Sequence, residues 1–169
     1  MNVISNSSPL IAVSKVNKLF IFAELFGKIR IPDIVYTETV LQSNDGLQKE
    51  NILKAIRDNH IIVQTPVSNR SFNRAIDSGE RAVFNLAFDK KADLLIIDDK
   101  KARKEAKELG FRIVKTSSLL KYAEKKQLIS SYAEVAEALK KLRIFFLFQD
   151  LYTLWENGHD DSFDFNVLW

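Results

Sequence analysis

Four consecutive apolar residues, Leu94-Leu95-Ile96-Ile97, run directly into the paired acids Asp98-Asp99, and the cationic segment Lys100-Lys101-Ala102-Arg103-Lys104 follows at once. An apolar run of that length without polar alternation predicts a strand buried on both faces, the kind found in parallel sheets covered by helices. Open α/β sheets bind their ligands just outside the carboxyl ends of such strands. Two carboxylates at that edge, beside a basic helix, suit hard metal ions and a phosphate-bearing substrate.

The rest of the chain alternates in the same sense. Val3-Ile4 opens a short strand, and Ser7 or Ser8 caps a helix with Pro9 in its first position, running to Leu25 and broken by Gly27. A strand at 28–31 leads through Pro32 into a helix over 33–41, and Ser43-Asn44-Asp45-Gly46 is a turn. A helix over 47–57, a strand at 61–63, a loop at 64–70 and a helix over 79–88 precede the buried strand. Then come a helix over 100–109 closed by Gly110, a strand at 112–114, and helices over 117–126 and 131–142. Helices alternating with short β-branched runs specify an α/β fold with a parallel sheet between helix layers. No internal repeat or linker divides it, so one domain is expected over residues 1–145, with an aromatic, acidic C-terminal extension at 146–169.

Composition removes several chemistries. The 169-residue chain has no cysteine, so it carries neither a disulfide framework nor a thiolate metal site. Its two histidines, His60 and His159, lie far apart in sequence, which argues against a zinc hydrolase site and against a histidine-dependent triad. No apolar run approaches the roughly 20 residues needed to span a bilayer, and the first residues lack a basic leader segment; a cytoplasmic protein without membrane contact is expected. The formal charge of +3 is unevenly distributed: residues 150–169 hold five acids and no lysine or arginine, so residues 1–149 carry 25 basic side chains against 17 acidic ones. A basic body fits a polyanionic partner, and a lysine-rich solvated surface is the commoner source of such an excess.

Helical periodicity places two further acids. Glu38 shares a face with Ile34, Val35 and Leu41, and Glu80 shares one with Val83, Phe84 and Ala87. Carboxylates gathered at the margins of apolar faces repel one another and resist ionisation unless cations neutralise them, and oxygen-only clusters of this kind select Mg²⁺ or Mn²⁺. Each acid also has a plainer reading. Glu80 complements the dipole of a helix start, Glu38 pairs with an arginine at the helix edge, and one of Asp98 and Asp99 caps the following helix while the other faces the site. Lys100, Lys101, Arg103, Lys104 and Lys107 form either an exposed face balanced by Glu105 and Glu108 or a seat for a phosphate backbone.

Taken in order, Val3-Ile4-Ser5-Asn6-Ser7-Ser8-Pro9-Leu10-Ile11, Ile31-Pro32-Asp33-Ile34-Val35-Tyr36-Thr37-Glu38, Gly79-Glu80 and Leu95-Ile96-Ile97-Asp98-Asp99-Lys100-Lys101-Ala102-Arg103 resemble the PIN-domain ribonucleases, in particular the toxin-like prokaryotic branch related to VapC-type toxins. The resemblance implies a three-layer α/β/α fold around a short-stranded parallel sheet. It implies Mg²⁺- or Mn²⁺-dependent hydrolysis of RNA phosphodiesters, by a toxin held silent by a small antitoxin-like protein; a homodimer fits the same picture. In that comparison Glu38, Glu80 and one of Asp98 and Asp99 match the family's acids, Ser8 matches a small hydroxyl residue beside the first acid, and Lys100, Lys101, Arg103 and Lys104 face the RNA backbone. Asn6 stands where the first strand of most such nucleases ends in aspartate. An asparagine offers a metal its carbonyl oxygen without a charge, so the alternative is a PIN scaffold that binds nucleic acid or protein with little or no catalysis. A receiver-like phosphoacceptor, which also pairs acids at a strand end, ranks lower because Asn6 occupies the early acid position. The extension at 146–169, with Tyr152, Trp155, Phe163, Phe165 and Trp169 among its acids, either docks on the basic cleft or a partner, or simply completes the core.

Overall fold

Every strand in this protein is short: β1 (Val3–Ser5), β2 (Ile29–Pro32), β3 (Ile61–Gln64), β4 (Leu94–Ile96) and β5 (Ile113–Val114). Ladders of two to four residues hold only because both faces of the sheet are covered, and the strand residues Val3, Ile4, Ile29, Ile31, Leu94, Leu95 and Ile96 are indeed wholly buried. The computed structural model describes residues 1–144, and within them the strands form one parallel sheet in the order β3-β2-β1-β4-β5. The C-terminal extension, with the roles expected for it, lies outside the described residues.

The sheet grows outward from β1 in two directions, first through β2 and β3 and then back through β4 and β5. Right-handed crossovers in opposite directions place their helices on opposite faces. α1 (Ser7–Lys15), α2 (Phe20–Phe26) and α4 (Gly46–Arg57) serve the first direction; α5 (Ser78–Lys90) and α6 (Lys100–Glu108) serve the second. The result is the expected α/β/α sandwich, completed by α7 (Thr116–Lys125) and α8 (Tyr132–Lys141) after the edge strand β5. Among the described residues no helix is long and apolar enough to cross a membrane.

Three local departures from the sequence reading have physical causes. The helix expected from Pro9 to Leu25 is two helices, broken where Asn17 takes a left-handed conformation at φ 55°. Its cap is neither Ser7 nor Ser8 but Asn6, whose side-chain oxygen accepts the Ser7 N–H at 2.8 Å. The helix over 33–41 changes pitch: α3 (Asp33–Tyr36) passes into a π-helical turn, Thr37–Leu41, closed by the Gln42 N–H on the Thr37 carbonyl at 2.9 Å. There the Thr37 and Thr39 hydroxyls donate back to the Asp33 and Val35 carbonyls at 3.1 and 2.7 Å, the local bonding that bends helices. Thirdly, Glu105 is no exposed balancing charge. It is 1% exposed and accepts the Asn73 N–H and the Arg74 guanidinium, each at 2.9 Å, which ties the loop before α5 to α6.

Asp98 follows β4 and is 7% exposed. Its Oδ1 accepts the Thr116 N–H at 2.8 Å and its Oδ2 accepts the Thr116 hydroxyl at 2.6 Å, fastening the end of β4 to the start of α7. A buried carboxylate that loses a charge-assisted donor keeps its desolvation penalty. Thr116→Val is therefore expected to destabilise the fold by about 1–3 kcal/mol, measured as a fall in the urea midpoint with unchanged slope; an unchanged midpoint would contradict this role for Asp98.

Candidate active site

The order of the strands reverses between β1 and β4, and in open α/β sheets that reversal leaves a crevice at the carboxyl edge. Asn6 leaves β1 at this point, with its N–H on the Ile96 carbonyl at 3.1 Å, so the chain beyond β1 and the chain beyond β4 start side by side. Three helix N-termini open here or nearby, each capped by a side-chain oxygen: α1 by Asn6, α5 by Asp77 and α6 by Asp99. The amide ends of helices carry partial positive charge and favour anionic side chains.

Glu38 is delivered by the π-helical turn and is half-buried. It receives the Ser7 hydroxyl on Oε2 and lies against the first turn of α5. A Cβ placed on Gly79 would stand 3.0 and 3.2 Å from the two Glu38 carboxylate oxygens and 3.4 Å from Asp77 Oδ1. Glu38 therefore meets a serine, not an arginine, and the serine is Ser7; its neighbour Ser8 is half-buried one position further along α1.

Glu80 belongs to a reciprocal capping box with Asp77. Its N–H donates to Asp77 Oδ1 at 2.7 Å, and its carboxylate accepts the Asp77 N–H at 3.1 Å. The residue is 6% exposed. Burial pushes its carboxyl up to about 7, and the negative charges of Asp77 and Asp99 push in the same direction, against the opposing Asp77 N–H. Asp99 thus has two engagements. It caps α6 through the Ala102 N–H at 2.8 Å, and its carboxylate stands within hydrogen-bonding reach of Glu80. Of the two aspartates after β4, Asp99 faces the site and also caps the helix, whereas Asp98 turns to Thr116.

The acids stand as coupled pairs. Among the described residues, no three His, Cys, Asp or Glu side chains gather closely enough to hold one metal ion between them. The convergence of Glu38, Glu80, Asp98 and Asp99 on a single cation, expected from the sequence, is therefore not what the side chains present: Glu80 couples to Asp77 and Asp99, and Glu38 lies beside Asp77. Asn6 uses its side-chain carbonyl for capping. On α6, Lys100, Lys101 and Lys104 are exposed, whereas Arg103 is half-buried and its guanidinium donates to the Asp98 carbonyl.

Asp77 is the member of this group that the sequence reading missed. The signal was present: Asp77-Ser78-Gly79-Glu80 has the spacing of a capping box, an acceptor residue followed three positions later by glutamate.

A PIN-domain family model matches residues 2–155. The chain belongs to the PIN-domain family. Among solved structures, a PilT N-terminus domain protein, SSO1118, from the hyperthermophilic archaeon Sulfolobus solfataricus P2 superposes with a TM-score of 0.52 at 22% identity, over 73% of this chain and 93% of that one. At that identity the likeness concerns the fold. No curated protein matches the chain. PIN domains have a nuclease-type fold and are typically metal-dependent. The donors at this PIN-domain site fit a hard divalent cation in kind: all are oxygens, and the surplus of negative charge already hinders the ionisation of Glu80. Mg²⁺ asks little of such donors, since it is commonly held by one or two carboxylates and keeps several waters.

The raised Glu80 value has a defined consequence for stability. A carboxyl with a folded-state value above its unfolded value of 4.5 binds more protons when folded, so the fold loses stability as pH rises from 4.5 through about 7. Glu80→Gln removes that ionisation and keeps the capping box. The variant is expected to exceed the wild type by about 2 kcal/mol at pH 8 and to match it near pH 4, in urea unfolding without divalent metal. An equal gain at both pH values would show that charge is not the cause.

Proposed function

We propose that this PIN domain is a Mg²⁺- or Mn²⁺-dependent endoribonuclease of the toxin-like, VapC-related type, silenced by a small protein partner. The observation that carries the reading is Glu80: a buried carboxyl raised to about 7 and coupled to Asp77 and Asp99, at the switch point of a parallel sheet. Glu80 and Asp99 would hold the ion from one side, with Glu38 close by on the Ser7 hydroxyl. When bound, such an ion supplies Lewis-acid polarisation of the phosphate and acidifies a coordinated water.

The protein's own groups perform the remaining work. Lys100, Lys101 and Lys104, exposed at the start of α6, attract and align the phosphate backbone without reading bases. Ser7 holds the Glu38 carboxylate in one rotamer. A carboxylate at this edge takes the proton released as water attacks phosphorus, the P–O bond to the leaving oxygen breaks, and that oxygen takes its proton from solvent.

A second reading, a binding module with little catalysis, is favoured by two observations. Asn6 supplies no charge and has its carbonyl committed to the α1 cap, and among the described residues no three acids gather on one point. One set of measurements separates the readings. With sub-saturating Mn²⁺ and mixed single-stranded RNAs, the wild type is expected to cleave, with a rate rising from pH 6 to pH 8 as the proton that competes with the ion for Glu80 is lost. Glu38→Gln and Asp99→Asn are each expected to reduce cleavage by about 10–100-fold. RNA binding without metal-dependent cleavage at any of these pH values would decide for the binding module. Asn6→Asp is expected to tighten Mn²⁺ binding, read as a larger metal-induced rise in Tm; a smaller rise would place the ion elsewhere.

A further inference from the structure

Gly79 has no conformational reason to be glycine. It sits in the second position of α5, a helix of 13 residues, and the described glycines with positive φ are Gly27 and Gly110, not Gly79. At such a position alanine is the better helix former, by about 1 kcal/mol. What a side chain would meet there is Glu38: an added Cβ would be 3.0 Å from Oε1 and 3.2 Å from Oε2, closer than carbon and oxygen settle without displacement. Glu38 reaches the site as the outer end of a flexible side chain from a separate element, the π-helical turn, so it is the carboxylate and not the helix that would yield. On its other side Glu38 takes the Ser7 hydroxyl.

We propose that Gly79 is a positioning residue: its missing side chain is the seat that, together with Ser7, fixes the Glu38 carboxylate against the first turn of α5. The glycine acts through Glu38 and touches no substrate. The proposal rests on the reading of Glu38 as a metal-site acid for its effect on metal binding, and on the geometry alone for the position of Glu38.

The test is a Gly79→Ala and Gly79→Val series in the full chain, with Glu38→Ala as reference. Without metal, Gly79→Ala is expected to leave Tm equal to or above that of the wild type and to move the side-chain carboxyl ¹³C resonance of Glu38, with a larger movement in Gly79→Val. With Mn²⁺ alone as ligand, Gly79→Ala is expected to weaken binding about tenfold, and to add nothing further in a Glu38→Ala background. An unmoved Glu38 resonance, or a Gly79→Ala effect on Mn²⁺ that persists in Glu38→Ala, would overturn the seat. If Glu38→Ala itself leaves Mn²⁺ affinity unchanged while the Glu38 resonance moves in Gly79→Ala, the metal-site reading fails and the seat stands.

Discussion

The parallel ladder between β1 and β4 is the interaction on which the site depends. Val3, Ile4 and Ser5 pair with Leu94, Leu95 and Ile96, and the ladder runs one step further through the Asn6 N–H on the Ile96 carbonyl. All six paired residues are fully buried. A strand of three residues has no stability of its own, so the helix layers must hold this pair in register. Side chains alternate along a strand, and a slip of one residue would exchange the faces that its residues present. Asn6 and Asp99 come from segments more than 90 positions apart, and this ladder sets them at the same edge.

Three caps at one edge explain why the place is rich in oxygen donors. The residue types that satisfy the free amides of a helix start are asparagine, aspartate, serine and threonine, which are also ligands for hard cations. Asn6, Asp77 and Asp99 each serve a helix. Their positions are dictated by folding, and the charges of Asp77 and Asp99 add to the burial that raises Glu80. Helix capping and cation binding call on the same residue types, which is why each acid read singly from the sequence supported both a plain account and a chemical one.

The architecture was legible because its signals are local. The run Leu94–Ile97, the capped basic helix after it and the alternation of helix-forming and β-branched segments specify a parallel α/β sheet without reference to distant residues. The misread points turned on competition between neighbouring side chains. Asn6 displaced Ser7 and Ser8 as the cap, which freed the Ser7 hydroxyl for Glu38. Two threonines bonding back to carbonyls altered the pitch beneath Glu38. Glu105 looked like one charge among many on α6 until Arg74 arrived from a loop some 30 positions earlier. Periodicity put Glu38 and Glu80 at the margins of the core and could not say how far apart their carboxylates stand.

Consecutive residues at the end of a strand project to opposite sides, and the Asp98-Asp99 pair uses both. Asp98 turns back into the protein and closes on Thr116; Asp99 turns outward, caps α6 and meets Glu80. The inner aspartate fixes the backbone from which the outer one departs, and Arg103 reinforces that link by donating to the Asp98 carbonyl. The basic helix and the acidic edge are thereby one mechanical unit. Lys100, Lys101 and Lys104 stand exposed on a helix whose own cap is the carboxylate that, with burial and Asp77, raises Glu80, so these cations and that acid cannot move independently.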